Sequence, residues 1–133
     1  MNNFIVNVIT RGRTDKQLTL ESIHPTLLNR FILWCHPGEG KYHKKNWGDK
    51  LMGIFEYDPE CTHVGEVREY VIHNCPVNKV IFCDDNVVFS KTILPKKNMR
   101  KLSLKNFTDK EILDAQIKMF TFLWDNLDKK ISP

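Results

Sequence analysis

Two carboxylates and an amide follow an apolar run in the middle of the chain. Asp84, Asp85 and Asn86 come directly after residues 79–83, which predict a buried strand. In open α/β sheets, ligands bind outside the carboxyl ends of the strands. Carboxylate and amide oxygens are hard ligands that suit Mg²⁺ or Mn²⁺, and such an ion can bridge a diphosphate. The cluster therefore predicts a metal site, with an acidic turn that caps the next segment as the alternative.

An arginine falls within the apolar face of a helix that is predicted for residues 62–74. Arg68 lies four residues from both Val64 and Ile72, so it shares their face of the helix. Val71 and Cys75 complete that face. A guanidinium that points at a core needs an acceptor. The acceptor is a ligand phosphate, a strand-end carbonyl or an internal carboxylate, and the two aspartates are candidates.

The loop after the first predicted strand, residues 4–9, offers groups that bind anions. Arg11 and Arg13 flank a glycine, and Thr14 or Asp15 can cap a helix that runs towards residues 24–25. Helix N-termini and arginines both favour negative charge. This loop would lie at the same edge of the sheet as Asp84. The candidate nucleotide-binding residues are Thr10, Arg11, Arg13, Gln17, Arg68 and Asp84.

A basic stretch with no acidic residue follows the aspartates. Its cationic residues are Lys91, Lys96, Lys97, Arg100, Lys101 and Lys105. A cationic run of this kind attracts phosphates, so Lys96, Lys97, Arg100 and Lys101 are candidates for contacts with phosphate groups, such as those of a DNA backbone. A solvated loop without a ligand explains the same composition.

The elements that must position these groups alternate between strand and helix patterns. Strands are predicted at residues 4–9, 31–35, 51–55 and 79–83, with helical patterns between them. This alternation predicts an α/β fold, a Rossmann-like three-layer sandwich with a mostly parallel sheet. Thr108 and Glu111 form a capping box that opens a last helix reaching about Leu127. That helix is apolar round more than one face, which predicts that another segment or a partner chain covers part of it.

Composition limits the class of protein. The chain has 133 residues, of which 41% are hydrophobic and 27% charged, so one globular domain is expected. No stretch approaches the roughly 20 apolar residues of a membrane span, and the N-terminus lacks signal-peptide features. A cytoplasmic protein with four free cysteines is therefore expected. The spacing of cysteines and histidines disfavours zinc, and P-loop, dinucleotide and serine-elbow motifs do not occur.

Four stretches taken together resemble a GT-A-type glycosyltransferase. They look most like the phage TET-associated glycosyltransferases, which are thought to decorate modified bases in DNA. The stretches are residues 9–13, Gln17 with Thr19, residues 67–69 and residues 80–89. The resemblance covers about residues 4 to 127, and its most specific part is the strand-end aspartate motif.

The resemblance implies a Rossmann-like sheet, a UDP-sugar as donor, and Mg²⁺ or Mn²⁺ at the aspartate motif. Asp84 and Asn86 would occupy the outer positions of the Asp-x-Asp pattern, with Asp85 between them. Arg68 would approach the diphosphate or brace the metal loop. Asn86 replaces the usual third acid, and the strands that normally shape the acceptor site have no counterpart after residue 108. The chain thus resembles only the nucleotide-sugar-binding part, a truncated GT-A fold.

The expected function is metal-assisted transfer of a sugar from a nucleotide sugar to a hydroxylated base in DNA, with the catalytic base unassigned. One alternative is an inactive module that binds a nucleotide sugar, DNA or a protein. Another is an interaction protein that forms a homo-oligomer, or binds a partner chain, through the last helix. Metal-dependent nucleotide binding separates the first two from the third.

Overall fold

A parallel four-stranded sheet forms the centre of the molecule. The computed structural model describes residues 4–87 and 108–127, together with the backbone of residues 90–92 and 101–103. The strands of the sheet are β1 (Val6–Ile9), β2 (Phe31–Cys35), β3 (Gly53–Glu56) and β4 (Ile81–Asp84). Their order is β3-β2-β1-β4, and every neighbouring pair is parallel. The predicted α/β class is confirmed, with a Rossmann-like topology.

Helices and turns connect these strands. The helices are α1 (Leu18–Ser22), a 3-10 helix (Pro25–Arg30), α2 (Gly40–Trp47), α3 (Val64–Asn74) and α4 (Asp109–Asn126). Short strands β5 (Ser90–Thr92) and β6 (Lys101–Ser103) form a separate antiparallel pair. The two ends of the basic stretch, expected to be a loop, are therefore strands. Within the described residues, no helix combines the length and the apolar character that crossing a bilayer requires.

Side chains pack on both faces of the sheet because successive residues of a strand point to opposite sides. In β2, Phe31 and Leu33 belong to one core, while Ile32 and Trp34 belong to the other. The first core also receives Leu20 of α1, the 3-10 helix and Phe120 of α4. The second core receives side chains of α3. The sheet thus lies between helices on its two faces, and the carboxyl ends of its strands remain at one edge.

A polar group is buried in the second core. Asn7 of β1 is fully buried, and its Oδ1 accepts a hydrogen bond from Trp34 Nε1 at 2.9 Å. Its Nδ2 donates to the carbonyl of Ile81 at 3.4 Å. A buried polar group is tolerated when its hydrogen bonds are made. Asn7 thereby links β1 to both of its neighbours, β2 and β4.

The first helix begins later than the sequence predicts. A start at Thr14 or Asp15 is wrong, because α1 begins at Leu18 and its N-cap residue, Gln17, makes no side-chain capping bond. The Gln17 amide instead donates to Thr10 Oγ1 and to the Arg13 carbonyl, both at 2.9 Å. These bonds hold residues 10–17 as a loop. Since α1 has only five residues, its N-terminus offers little of the predicted anion site.

The predicted apolar face of α3 is correct for Val71 and Cys75, which join the second core, and wrong for Val64 and Ile72. Val67 and Val71 are buried, whereas Val64 and Ile72 are 52% and 55% exposed. Val67 and Val71 pack against Ile32 and Trp34 in the second core, and this contact sets the rotation of the helix. His63 rather than Thr62 is the N-cap residue. Arg68 therefore points along the edge of the sheet, not into the core.

The last helix matches its prediction. Thr108 and Glu111 form the expected capping box. Gln116 is buried, and it accepts from the His24 N–H and donates to the Ser22 carbonyl, both at 2.8 Å. These bonds tie α4 to the segment after α1. The expected free thiols are confirmed as well, because all four cysteines of the chain lie in described residues and are unpaired.

The buried histidine of α2 gives a testable pH dependence. His43 is fully buried, and neither ring nitrogen has a hydrogen-bond partner among the described residues. Desolvation lowers the pKa of His43, while Glu39 opposes this shift. The unfolded chain therefore binds this proton more readily than the folded one. The resulting stability is present above the unfolded pKa, about 6.5, and is lost as the pH falls below it.

Replacing this histidine with leucine is expected to flatten the pH profile of stability. Urea unfolding of wild type and His43→Leu between pH 8 and pH 5 measures the effect, whose slope for one proton is at most about 1.4 kcal/mol per pH unit. His73→Leu changes an exposed histidine, 71% accessible in its side chain, and serves as the control. Equal pH profiles for wild type and His43→Leu would rule out this assignment.

Candidate functional site

The candidate site lies where the order of the strands reverses. From β1 the chain adds β2 and β3 on one side, and β4 then pairs with the other side of β1. Ligands in open parallel sheets bind at such a switch point, outside the carboxyl ends of the strands. Ile9 is paired with Asp84 there. A cleft of about 340 Å³ opens at this point, lined by Ile9, Thr10, Arg11, Arg13, Tyr57, Cys61, His63, Val64, Val67, Asp84, Asp85 and Asn86.

Asp85 organises the floor of this cleft. Its Oδ2 accepts a hydrogen bond from Thr10 Oγ1 at 2.7 Å and lies 3.2 Å from Arg13 Nε. Thr10 is buried, and its Oγ1 also accepts from Gln17. A chain of hydrogen bonds thus runs from Gln17 through Thr10 to Asp85. It joins the two segments that the sequence predicted to meet at this edge of the sheet.

The loop of residues 10–17, which carries Arg11 and Arg13 and is called the arginine loop below, is held by two carboxylates. Gly12 adopts a positive φ of 74°, which glycine adopts at low cost. Its N–H lies 3.0 Å from both carboxylate oxygens of Glu39. Asp85 holds Arg13 on the other side. Arg11 and Arg13 both line the cleft, while the Gly12 N–H already has an internal partner in Glu39.

Asp84 has a different environment from Asp85. Its side chain is 71% exposed, and its Oδ1 lies 3.9 Å from Arg68 Nη2. The Arg68 guanidinium also lies 6.0 Å from the centre of the Phe82 ring. An ion pair of this length between exposed groups adds little stability. Asp84 is thus an internal partner of Arg68, as one of the alternatives predicted, and it also lines the cleft.

Thr19 fixes the backbone that carries the aspartates. It is fully buried, and its hydroxyl donates to the Asp84 carbonyl and accepts from the Val87 N–H at 2.9 Å. The Thr19 N–H also donates to the Asp85 carbonyl at 3.2 Å. Since one residue of α1 holds three backbone groups of this turn, the turn has a defined shape before any ligand binds. Asn86 also lines the cleft.

The opposite wall of the cleft was not predicted. Tyr57 follows β3, and Cys61, His63, Val64 and Val67 come from the start of α3 and the turn before it. The strand-end rule would have found Tyr57, which comes directly after Glu56. Cys61 and His63 come before α3, and the positions of Val64 and Val67 depend on the rotation of this helix about its axis, which the sequence pattern assigned only in part.

The thiol of this wall is not activated. Desolvation raises the pKa of Cys61, and Asp58, Glu66 and Glu60 add to the shift. Burial raises the pKa of Cys83 on β4 to about 11, and the charge of Asp84 contributes. Thiolates, not thiols, act as nucleophiles. Covalent catalysis by either cysteine at neutral pH is therefore disfavoured.

The donor atoms of the site suit a divalent cation only in part. Asp84, Asp85 and Asn86 bring hard oxygen ligands to one cleft. Among the described residues, no group of three or more histidine, cysteine, aspartate or glutamate side chains is placed to hold a metal ion. Mg²⁺ is commonly bound by one or two carboxylates together with water and substrate phosphates. The set fits a cation that arrives with, or is completed by, a phosphate ligand.

The predicted DNA contacts cannot be placed relative to the cleft. Lys96, Lys97 and Arg100 lie outside the described residues, and Lys101 is described only by its backbone in β6. The structure therefore brings together Thr10, Arg11, Arg13, Asp84, Asp85 and Asn86, with Arg68 beside Asp84 and Gln17 behind Thr10. No protein-family model matches the chain, and no curated protein or solved structure is significantly similar to it.

Proposed function

We propose that the switch-point cleft binds a nucleotide sugar and that the chain is the donor-binding part of a glycosyltransferase. The observation that carries this proposal is the mixture of charges in one cleft. Two arginines and two aspartates line the cleft outside the carboxyl ends of β1 and β4. A diphosphate with a bridging divalent cation needs both kinds of group, since its oxygens bind arginine and its cation binds carboxylate.

The size and walls of the cleft support a ligand larger than a free phosphate. Its volume of about 340 Å³ lies at the lower end of the range of about 300 to 1,000 Å³ for small-molecule sites. The charged groups lie at the ends of β1 and β4, and the opposite wall includes Tyr57, Val64 and Val67. A ligand with a charged part and a flat, less polar part matches this division. UDP-sugars have that character.

In this proposal each charged residue has a distinct role. Arg11 and Arg13 donate to the diphosphate, because a guanidinium has five N–H donors and one carboxylate oxygen cannot accept them all. Asp84, Asp85 and Asn86 would hold a cation, whose chemistry when bound would be to stabilise negative charge on the leaving diphosphate. Arg68 adds a positive charge beside Asp84. Gln17 and Thr19 position these groups, and Thr10 does so while it also lines the cleft.

The finer assignment rests on the resemblance of the aspartate motif to that of GT-A-type enzymes. In that assignment the acceptor is a hydroxylated base in DNA, and residues of the basic stretch bind the DNA backbone through its phosphates. A target base inside a duplex would have to be flipped out of the stack. The described residues do not identify a catalytic base for the acceptor hydroxyl.

A second candidate is a module that binds the nucleotide sugar but does not transfer it. Asn86 in place of a third acid favours this alternative, as does the absence of a group of three metal-binding side chains among the described residues. Weaker cation binding would lower transition-state stabilisation more than ligand binding. Turnover therefore distinguishes the two candidates.

The test measures the release of UDP from UDP-glucose with Mn²⁺, with and without an oligonucleotide that contains 5-hydroxymethylcytosine. A transferase releases UDP in proportion to the oligonucleotide, and Asp84→Asn abolishes the release. Asp114→Asn changes an exposed aspartate on α4, away from the cleft, and should retain activity. Saturable binding of UDP-glucose without acceptor-dependent release would support the binding module. If the protein shows neither binding of UDP-glucose nor release of UDP, both candidates are rejected.

A further inference from the structure

The outer face of α4 exposes an unusual concentration of apolar side chains. Met119, Phe122, Leu123 and Leu127 are 37%, 66%, 43% and 48% exposed. The inner face of the same helix packs Leu113, Ile117, Phe120 and Trp124 against the first core. Among the described residues, nine large hydrophobic side chains are exposed, of which three belong to this helix and a fourth, Leu127, is its C-cap residue. Concentrated apolar exposure of this kind marks an interaction surface.

Two of these exposed residues, Met119 and Phe122, belong to a set with the spacing of a helix that pairs with another helix. Intervals of three and four residues separate, in order, Ile112, Ala115, Met119, Phe122 and Asn126. This is the a and d pattern of a heptad repeat. We call these five residues the α4 seam. Ala115, Met119 and Phe122 are exposed, and Ile112 and Asn126 are partly exposed. The seam lies on the side of α4 away from the buried Phe120.

The charges beside the seam indicate which partner fits it. Glu111, Lys118 and Asp125 recur every seven residues along one flank, and all three are exposed. The other flank carries Asp109, Gln116 and Leu123, and Gln116 is buried against the chain's own core. In a parallel pair of identical helices, each flank meets the opposite flank of its partner, so Glu111 and Lys118 would face no charged side chain on this flank.

In an antiparallel pair of identical helices, the flank that carries Glu111, Lys118 and Asp125 faces the same flank of the second copy. Lys118 then faces Asp125 of the partner subunit, and the same contact occurs a second time by symmetry. The centre of this arrangement falls next to Phe122, the most exposed apolar side chain on the helix. Charge complementarity and apolar exposure thus agree on one geometry.

We propose that α4 pairs in an antiparallel arrangement with α4 of a second copy of this chain. The 18 residues of α4 span about 27 Å at 1.5 Å per residue. One helix pair of this length gives an interface at the small end of the range for stable complexes. The dimer is therefore expected to dissociate in the micromolar range, about 1 to 100 μM. This proposal does not depend on whether the cleft binds a nucleotide sugar.

Sedimentation equilibrium of the full chain over that concentration range tests the dimer. Wild type should shift from monomer to dimer as its concentration rises. Phe122→Glu should stay monomeric, with an unchanged far-UV circular dichroism spectrum because the residue is exposed. Glu21→Gln, on α1, is a control that should dimerise like wild type. A wild type that stays monomeric, or a dimer that persists in Phe122→Glu, would overturn the proposal.

A charge exchange tests the orientation of the helices. Lys118→Asp alone and Asp125→Lys alone place like charges opposite each other in the antiparallel pair, so each should weaken the dimer about three- to tenfold. The double variant Lys118→Asp/Asp125→Lys restores both contacts and should recover wild-type affinity. Failure of the double variant to recover affinity would reject the antiparallel arrangement.

Discussion

An Asp85→Ala variant is expected to lose ligand binding in the cleft and to be less stable by about 2 kcal/mol. The substitution removes the acceptor of the buried Thr10 hydroxyl and the partner of Arg13. A hydrogen bond to a charged group contributes about 1.5–3 kcal/mol. The ion pair adds little to this figure, since the Arg13 side chain is 47% exposed. Ligand binding is lost because the substitution removes a carboxylate that would bind the cation and also removes the partner that holds Arg13 in place.

Asp85→Asn separates the structural from the electrostatic role of this residue. Its amide oxygen can still accept from Thr10, so most of the stability should remain. Loss of the negative charge of Asp85 should weaken metal-dependent binding of UDP by at least about tenfold, or about 1.4 kcal/mol. Urea unfolding and calorimetry of the two variants measure both effects. An Asp85→Ala variant with wild-type stability and wild-type binding would show that the hydrogen-bond chain is not what organises the cleft.

Replacing Phe120 with alanine is expected to give the largest loss of stability, about 3–5 kcal/mol. Phe120 is 2% exposed and is the large apolar side chain that α4 buries most completely in the first core. Its ring stacks on Phe4 with 5.2 Å between centroids and meets Phe31 edge-on at 5.6 Å. Truncation removes both contacts and leaves a cavity between the helix and the sheet. A protein of marginal stability would be partly unfolded by this change.

Phe122→Ala is the matched control, because it removes the same side chain from the same helix where that side chain is 66% exposed. Its cost should stay within about 0.5 kcal/mol. The comparison should be made by urea unfolding at low protein concentration, where self-association contributes least to stability. Equal losses for the two variants would mean that α4 does not dock on the sheet through Phe120.

The sequence predicts the sheet well because its strands are short apolar runs between clear breaks. The predicted bounds of β2, residues 31–35, are those observed. The capping box of α4 was also predictable, since it depends only on Thr108 and Glu111. Local patterns of this kind need no information from distant residues. The placement of Asp84 at the end of β4 follows from the same reasoning.

The failures come from contacts between distant parts of the chain. In α3, the predicted face included Val64 and Ile72, which are exposed, and it left out Val67, which contact with Ile32 and Trp34 buries. In α1, the hydrogen bond from Gln17 to Thr10 competes with helix formation. Neither effect is visible in a local window of sequence. Tertiary contacts commonly override local preference in this way.

The detailed geometry of the site could not be predicted for the same reason. The sequence indicated which residues meet at the edge of the sheet, but not how they pair. The pairing of Arg13 with Asp85, and of the Gly12 N–H with Glu39, joins residues that lie far apart in the chain. The distinct surroundings of Asp84 and Asp85 also depend on these contacts, because one carboxylate is nearly buried and the other is exposed.

The most direct test of the proposed nucleotide-sugar site is a calorimetric titration of UDP into the protein, with and without Mn²⁺. Wild type and the control Asp114→Asn are expected to bind one UDP per chain in the presence of Mn²⁺ and much less tightly in its absence. Asp84→Asn, which keeps the shape of an exposed side chain but removes its charge, is expected to lose the metal-dependent binding. Absence of binding to folded wild type, or binding unaffected by Mn²⁺ and by Asp84→Asn, would contradict the proposed site.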